Sequence, residues 1–275
     1  MGLQVDYPKV KVSKRYMDGL FGQLHVRLTE PENPSRPPVL CLHVSPLSGL
    51  VYEDLLARIG TDRMAIAPDT PGYGMSDAPS DIPDIPAYAE AFSHLMDSMD
   101  FKEVDLVGYA TGSVIAAELA RQRPDVVRRL VLFSAPVIDD EDRRTLGDRF
   151  GHVIKPKPDG SHLIPLWQQV FAGHGPGQTA ALCHHVFTEH IRADGDKKPW
   201  APRAAFEFRL EEALAALSQP LVIYNIATEV HGSTLRAAPH VKPGSIVELP
   251  DWGHGFLQTR PEDAANRVRN FLDSV

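Results

Sequence analysis

Cysteine is scarce. Cys41 and Cys183 are the two among 275 residues; they stand far apart, and Cys41 lies in an apolar run. That disfavours a disulfide scaffold and points to buried, reduced thiols. Positive charge is thin as well. Lys and Arg number 28 against 36 Asp and Glu, for a formal charge of −8, and no run of basic residues is longer than two. A nucleic-acid partner needs a basic footprint, and a membrane-surface patch needs a basic cluster, so neither is expected. No apolar segment approaches the length that spans a bilayer. The first residues, Met1-Gly2-Leu3-Gln4-Val5-Asp6, have neither the basic start nor the apolar stretch of a secretory signal. Asp6 breaks the myristoylation pattern that Gly2 would open, and a cytoplasmic location is expected. Internal repeats and low-complexity tracts are missing too. The remaining composition, 43% apolar and 23% charged, suits a soluble globular chain of one large α/β domain with an insertion, or of two small domains.

Residues 9–15 and 22–29 read as strands of a hairpin around a turn at Asp18-Gly19, and a proline-rich connector follows over 31–38. The unbroken apolar run Val39-Leu40-Cys41-Leu42-His43 is that of a strand buried on both faces. Residues 52–59 read as a helix, 64–69 as a strand, and 70–77 as a shaped loop dense in Gly and Pro. A helical period covers 85–99, and residues 127–133 form another buried strand. Strands alternating with helices at this spacing imply parallel βαβ units, with a sheet covered on both faces. From 137 to 217 the pattern changes: a charge run at Asp139-Asp140-Glu141-Asp142-Arg143-Arg144, then helices over 162–172, 178–192 and 203–217. Gly173-His174-Gly175-Pro176-Gly177 separates the first two of these helices as a hinge candidate. Strands resume at 221–225 and 245–249, and a last helix covers 261–273.

The chain is organised around Val104-Asp105-Leu106-Val107-Gly108-Tyr109-Ala110-Thr111-Gly112-Ser113. An apolar strand reaches Gly108, and a helix rich in small residues starts at Gly112. This is the layout of a nucleophile elbow, G-x-S-x-G, in which a tight strand-to-helix turn presents one side chain above a sheet. The central position holds Ala110, whose methyl group cannot attack anything.

Taken together with three other landmarks, this stretch resembles the α/β-hydrolase family over nearly the whole chain. His43-Val44-Ser45-Pro46 is similar to the family's oxyanion-loop motif, usually His-Gly-x-Pro. Asp69-Thr70-Pro71-Gly72-Tyr73-Gly74-Met75-Ser76-Asp77 resembles its D-x-P-G-x-G-x-S-D loop, and Gly253-His254-Gly255 its histidine loop. The resemblance implies an α/β-hydrolase fold: a mostly parallel sheet with helices on both faces, a core of residues 1–136 and 218–275, and a helical cap over 137–217. The substrate pocket would lie between core and cap. Two positions depart from the pattern. Val44 replaces the usual glycine, and Ala110 replaces a nucleophile that is usually Ser, or Asp in the dehalogenase and epoxide-hydrolase branches.

The same resemblance assigns roles. His254, on a loop beyond the last strand, would be the base, and a near-neutral imidazole suits it to take and return a proton. Glu229, after the 221–225 strand, would be the carboxylate that orients it, in the chain order elbow, acid, histidine. Asp139 and Asp140, past the 127–133 strand, are the alternative acids. Backbone N–H groups of Thr111 and of Val44 or Ser45 would form the oxyanion hole. Asp69 and Asp77 read as satisfying loop backbone groups, and His43 as a hydrogen-bonded core histidine. Cys183, His184, His185 and His190 match no common zinc spacing and read as a cap-helix surface. Trp167, Phe171, Phe187, Trp200, Phe206 and Phe208 line a pocket or fill the cap's own core. No metal, flavin or nicotinamide site is expected, since the elbow is not a G-x-G-x-x-G fingerprint. The expected partner is a small molecule.

Three functions follow, in this order. The first is a serine hydrolase of small ester-like or other acyl compounds that carries Ala110 in place of its Ser. The second is a non-hydrolytic enzyme (lyase, isomerase or cofactor-free oxygenase) using His254 as general base with a native Ala110, or with an Asp or His as the parent residue. The third is a non-catalytic small-molecule binder.

Overall fold

The structure is a computed structural model describing residues 9–150, 155–193 and 195–274. The N-terminal segment behind the targeting expectation lies outside the described residues, as do 151–154 and 194 of the inserted span. One eight-stranded sheet runs in the order β1-β2-β4-β3-β5-β6-β7-β8. Its strands are β1 (Ser13–Gly19), β2 (Gly22–Thr29), β3 (Val39–Leu42), β4 (Ala65–Pro68), β5 (Val104–Tyr109), β6 (Val127–Phe133), β7 (Leu221–Ile226) and β8 (Ile246–Leu249). The pairings β1–β2 and β2–β4 are antiparallel; every later neighbour is parallel.

Side chains alternate across a strand, so a strand covered on both faces feeds two cores. Leu40, Leu42, Leu106, Leu130 and Leu132 join one core with α2 (Ile85–Ser98) and α3 (Thr111–Gln122). Val39, Cys41, Val107, Val131 and Phe133 join the other, with α1 (Glu53–Ile59) and, near the C-terminus, α10 (Phe256–Thr259) and α11 (Pro261–Leu272). This is why the central strands read as unbroken apolar runs. Cys41 and Cys183 are buried and free.

Between β6 and β7 the chain forms α4 (Asp140–Phe150), α5 (Leu163–Ala172), α6 (Ala180–Arg192), α7 (Trp200–Glu207) and α8 (Leu210–Ala216), and a short α9 (His231–Leu235) follows β7. Several boundaries differ from the sequence reading. The hairpin strand is 13–19 rather than 9–15, and its ladder continues to Gly19 opposite Gly22, so Leu20-Phe21 make the turn instead of Asp18-Gly19. The charge run at 139–144 is the start of a helix. Asp139 accepts the N–H of Asp142 at 2.8 Å, and three acidic residues in the first turn interact favourably with the positive end of the helix dipole. The single helix expected over 203–217 breaks at Phe208, which is extended. Its halves share the core around α3, through Ala204 and Ala205 in the first and Leu210 and Leu214 in the second, while Phe206 of the first half also packs with Ile138, Leu146 and Val230.

Inside β5, Asp105 is fully buried, bonded to Arg128 at 2.5 Å, with Oδ1 unpartnered among the described residues. Burial outweighs the guanidinium and raises this carboxyl from 3.8 to about 6. The native state therefore holds a proton that the unfolded chain has released, and stability contributed here falls as pH rises from about 4 to 6 and is level above. Asp105→Asn, which does not titrate, is expected to gain up to about 3 kcal/mol relative to the unaltered protein across that window. Urea unfolding of both proteins at several pH values measures it, and parallel pH curves would refute the assignment.

Candidate active site

The strand registers bring the site together. Leu42 of β3 lies beside Gly108 of β5, and Tyr109 of β5 beside Phe133 of β6. The three strands end level, so His43-Val44-Ser45 and Ala110 emerge at the same edge of the sheet. Ligand sites in such sheets form outside the carboxyl ends of the strands.

Ala110 has φ 49° and ψ −108°, in the left-handed half of backbone space that a non-glycine residue occupies at a cost of about 1–3 kcal/mol. Its N–H donates to Phe133 O at 2.9 Å, and its carbonyl accepts from Ser113 N at 2.9 Å. The flanking glycines are dictated by contact. A Cβ on Gly108 would sit 2.5 Å from Ser113 Cα, and one on Gly112 would sit 1.9 Å from Leu42 O. The backbone N–H groups of Val44, Ser45 and Thr111 are taken by no acceptor among the described residues, and all three residues are buried.

His254 stands on the loop between β8 and α10. Its Nε2 lies 2.8 Å from Glu229 Oε2 and its Nδ1 lies 2.6 Å from the Tyr109 hydroxyl. The structure thus brings Glu229 to His254 and leaves Asp139 and Asp140 elsewhere: Asp139 pairs with Arg236, and Asp140 with Arg143 at the surface. Aromatic stacking holds the histidine loop. Trp252 packs on Phe256 at 5.4 Å, Phe256 on Phe133 at 4.6 Å, and Tyr109 edge-on to Phe256 at 5.3 Å.

The supporting polar residues have distinct duties. Asp69 accepts from Gly49 N at 2.8 Å and Met75 N at 2.9 Å and meets His25 Nδ1 at 2.9 Å. Burial alone would raise its carboxyl, but His25, the Met75 N–H and the Arg27 charge together hold it below the usual range. Asp77 accepts from Gln23 N at 2.8 Å. His43 is fully buried; its Nδ1 donates to Val44 O at 3.0 Å and its Nε2 accepts from Thr70 N at 2.8 Å. Burial pushes its pKa down, so it is a neutral brace between the oxyanion loop and the Asp69 loop.

A cavity of about 120 Å³ opens here, reaching Val44, Ser45, Tyr109, Glu229 and His254 on one side and α5 and α6 on the other. Its aromatic lining is Tyr109, Phe150 and Phe256; none of the six aromatics singled out from the sequence lines it. Trp167 packs with Phe171 and Phe187, Phe206 fills a cluster under α4, and Trp200 and Phe208 line a separate groove beside α3. The expected surface role of the Cys183–His190 group also needs correction. His184 and His185 are exposed, but Cys183, Val186 and His190 recur at helical spacing on the face of α6 turned to the cavity. His190 Nδ1 is buried without a partner among the described residues. Burial, the Lys198 ammonium and His254 lower its pKa to about 3, which keeps it neutral. The glycine segment expected as a hinge is a packing surface: a Cβ on Gly175 would sit 2.1 Å from His254 O, and Gln178 accepts the Gly175 N–H at 2.9 Å.

The fold and this site define a hydrolase-fold protein whose elbow, histidine loop and oxyanion loop meet at one sheet edge. Residues 37–153 match the family model described as alpha/beta hydrolase fold. An uncharacterized protein of Mycobacterium tuberculosis is 33% identical over 101 residues, a match spanning 37% of this chain and 30% of that relative. The 2-(acetamidomethylene)succinate hydrolase of Mesorhizobium japonicum is 25% identical over 264 residues, covering 90% of this chain and 92% of that one. The crystal structure of the enol-lactonase from Burkholderia xenovorans LB400 superposes with a TM-score of 0.79 at 15% identity, covering 94% of this chain and all of that one. The chain has the α/β-hydrolase fold. No helix among the described residues is long and apolar enough to cross a membrane.

Proposed function

We propose that this chain takes a small ester-like or other acyl substrate into the cavity between the sheet edge and the inserted helices, which act as its cap. Glu229 orients His254 as general base, and the free N–H groups of Thr111 and of Val44 or Ser45 receive the carbonyl oxygen, where charge develops in acyl transfer. Ala110 stands where a serine hydrolase carries its nucleophile, so no acyl-enzyme forms at this position. The carrying observation is the pairing of His254 with Glu229 on the wall of a cavity that is also lined by Tyr109, the residue before the strained Ala110. A hydrolase and an enol-lactonase among the relatives and structural neighbours support an acyl substrate over a purely structural role. No metal or organic cofactor takes part in this reading, and the protein is cytoplasmic.

The test is Ala110→Ser, assayed on a panel of small esters, lactones and thioesters. Appearance of hydrolysis with a covalent acyl-serine supports the reading; inactivity across the panel sinks it. A second reading, a general-base enzyme in its own right, is favoured by the Tyr109–His254 hydrogen bond.

A further inference from the structure

Tyr109 ends β5 one residue before Ala110, and its hydroxyl sits 2.6 Å from His254 Nδ1. On the other side of the ring, Nε2 meets the Glu229 carboxylate at 2.8 Å. A carboxylate only accepts, so in the neutral ring Nε2 carries the proton, Nδ1 is the lone pair, and the phenol donates to it. Carboxylate, imidazole and hydroxyl therefore follow one another in the order of a hydrolytic triad, with the two ring nitrogens exchanged and a phenol third in that order. Tyr109 also lines the cavity.

We propose that Tyr109 is a catalytic proton relay through which His254 activates a water molecule for direct attack on the bound acyl group. The proposal rests on the acyl-substrate reading above. In the step, water forms its bond to the carbonyl carbon while giving a proton to the Tyr109 oxygen. Tyr109 passes its own proton to His254 Nδ1, and the carbonyl π pair moves onto oxygen, facing the N–H groups of Thr111 and Val44 or Ser45. Glu229 stabilises the imidazolium. The proton then returns from Nδ1 through the phenol to the leaving alkoxide as the C–O bond breaks, giving acid and alcohol with the protein unchanged.

Burial, reinforced by the Glu229 charge, pushes the Tyr109 phenol well above its ordinary value. It therefore transfers a proton without resting as a phenolate and is not itself the attacking group. Its edge-on packing against Phe256 holds the ring while the protons move. Ala110 fits this role, since a methyl group presents no competing hydroxyl to His254.

The experiment compares the unaltered protein, Tyr109→Phe, Tyr88→Phe and Ala110→Ser on the same ester and lactone panel, with histidine-15N spectra of each. Tyr88 is a buried phenol on α2 whose hydroxyl has no partner among the described residues, and it serves as the control. The expected result is hydrolysis by the unaltered protein without a burst or a covalent adduct, with a curved proton inventory in mixed H2O and D2O showing more than one proton in flight. Tyr109→Phe is expected to lower kcat by about 10²- to 10³-fold at similar KM and to move the His254 Nδ1 resonance; Tyr88→Phe does neither. An active Ala110→Ser beside an inactive unaltered protein overturns the relay and keeps the acyl reading. Inactivity of both overturns the acyl reading and the relay with it. A fully active Tyr109→Phe, an unmoved Nδ1 resonance, or a linear inventory overturns the relay by itself.

Discussion

Serine at position 110 is expected to raise ester hydrolysis by about 10³-fold and to introduce a burst of one acyl group per chain. The backbone is already shaped for it. Ala110 holds φ 49°, its N–H and carbonyl are engaged with Phe133 and Ser113, and exchanging methyl for hydroxymethyl adds one oxygen without changing those bonds. Removing the serine from an optimised triad lowers kcat by about 10⁶-fold. The smaller gain expected here follows from the histidine: Nδ1 already accepts from Tyr109, so a new hydroxyl shares the base with the phenol. Stopped-flow assays with an aryl ester, together with intact-protein mass spectrometry, read both the rate and the adduct. A rate increase without a burst would show that position 110 does not present its side chain to the carbonyl carbon.

Gly112→Ala is expected to be the most damaging added methyl among the described glycines, lowering stability by about 3 kcal/mol. Helix propensity favours alanine by about 1 kcal/mol, but the added Cβ would lie 1.9 Å from Leu42 O, 2.4 Å from Leu42 C and 2.8 Å from His43 O. These are backbone atoms of β3 and the start of the oxyanion loop, and a rotamer change cannot move them aside. Overpacking of a close-fitted core typically costs about 1–3 kcal/mol, and this contact belongs at or beyond the upper end. Gly147→Ala, where a Cβ meets nothing within 4 Å, is the matched control and should gain about 1 kcal/mol from propensity. Thermal or urea unfolding of both variants decides it; equal midpoints would mean that α3 slides on β3 at no cost.

The Gly112 contact explains why so much was legible from residue order. The elbow, the buried strands and the alternation of strand with helix are local patterns. Apolar runs, glycines that admit a close approach, and 3.6-residue periods each act within a dozen residues, so β3, β5, α3 and the loops after them could be read directly. Interruptions imposed from elsewhere were not readable. The helix over 203–217 broke at Phe208, where its first half serves a second cluster through Phe206 as well as the core that both halves share, and the charge run became a helix because Asp139 caps it.

The candidate site divides in the same way. Local sequence by itself determined the strained turn at Ala110, the glycine-flanked His254 loop and the chain order of acid and histidine, because turn geometry is encoded in adjacent residues. Only the tertiary structure decided that Glu229 rather than Asp139 or Asp140 meets His254, since the choice depends on where β7 lies relative to β6 in the sheet. It alone placed Tyr109 against Nδ1 across 145 residues of sequence and turned Cys183, Val186 and His190 toward the cavity. A residue's partner across a cleft depends on how whole elements pack, and no pattern within one element carries that information.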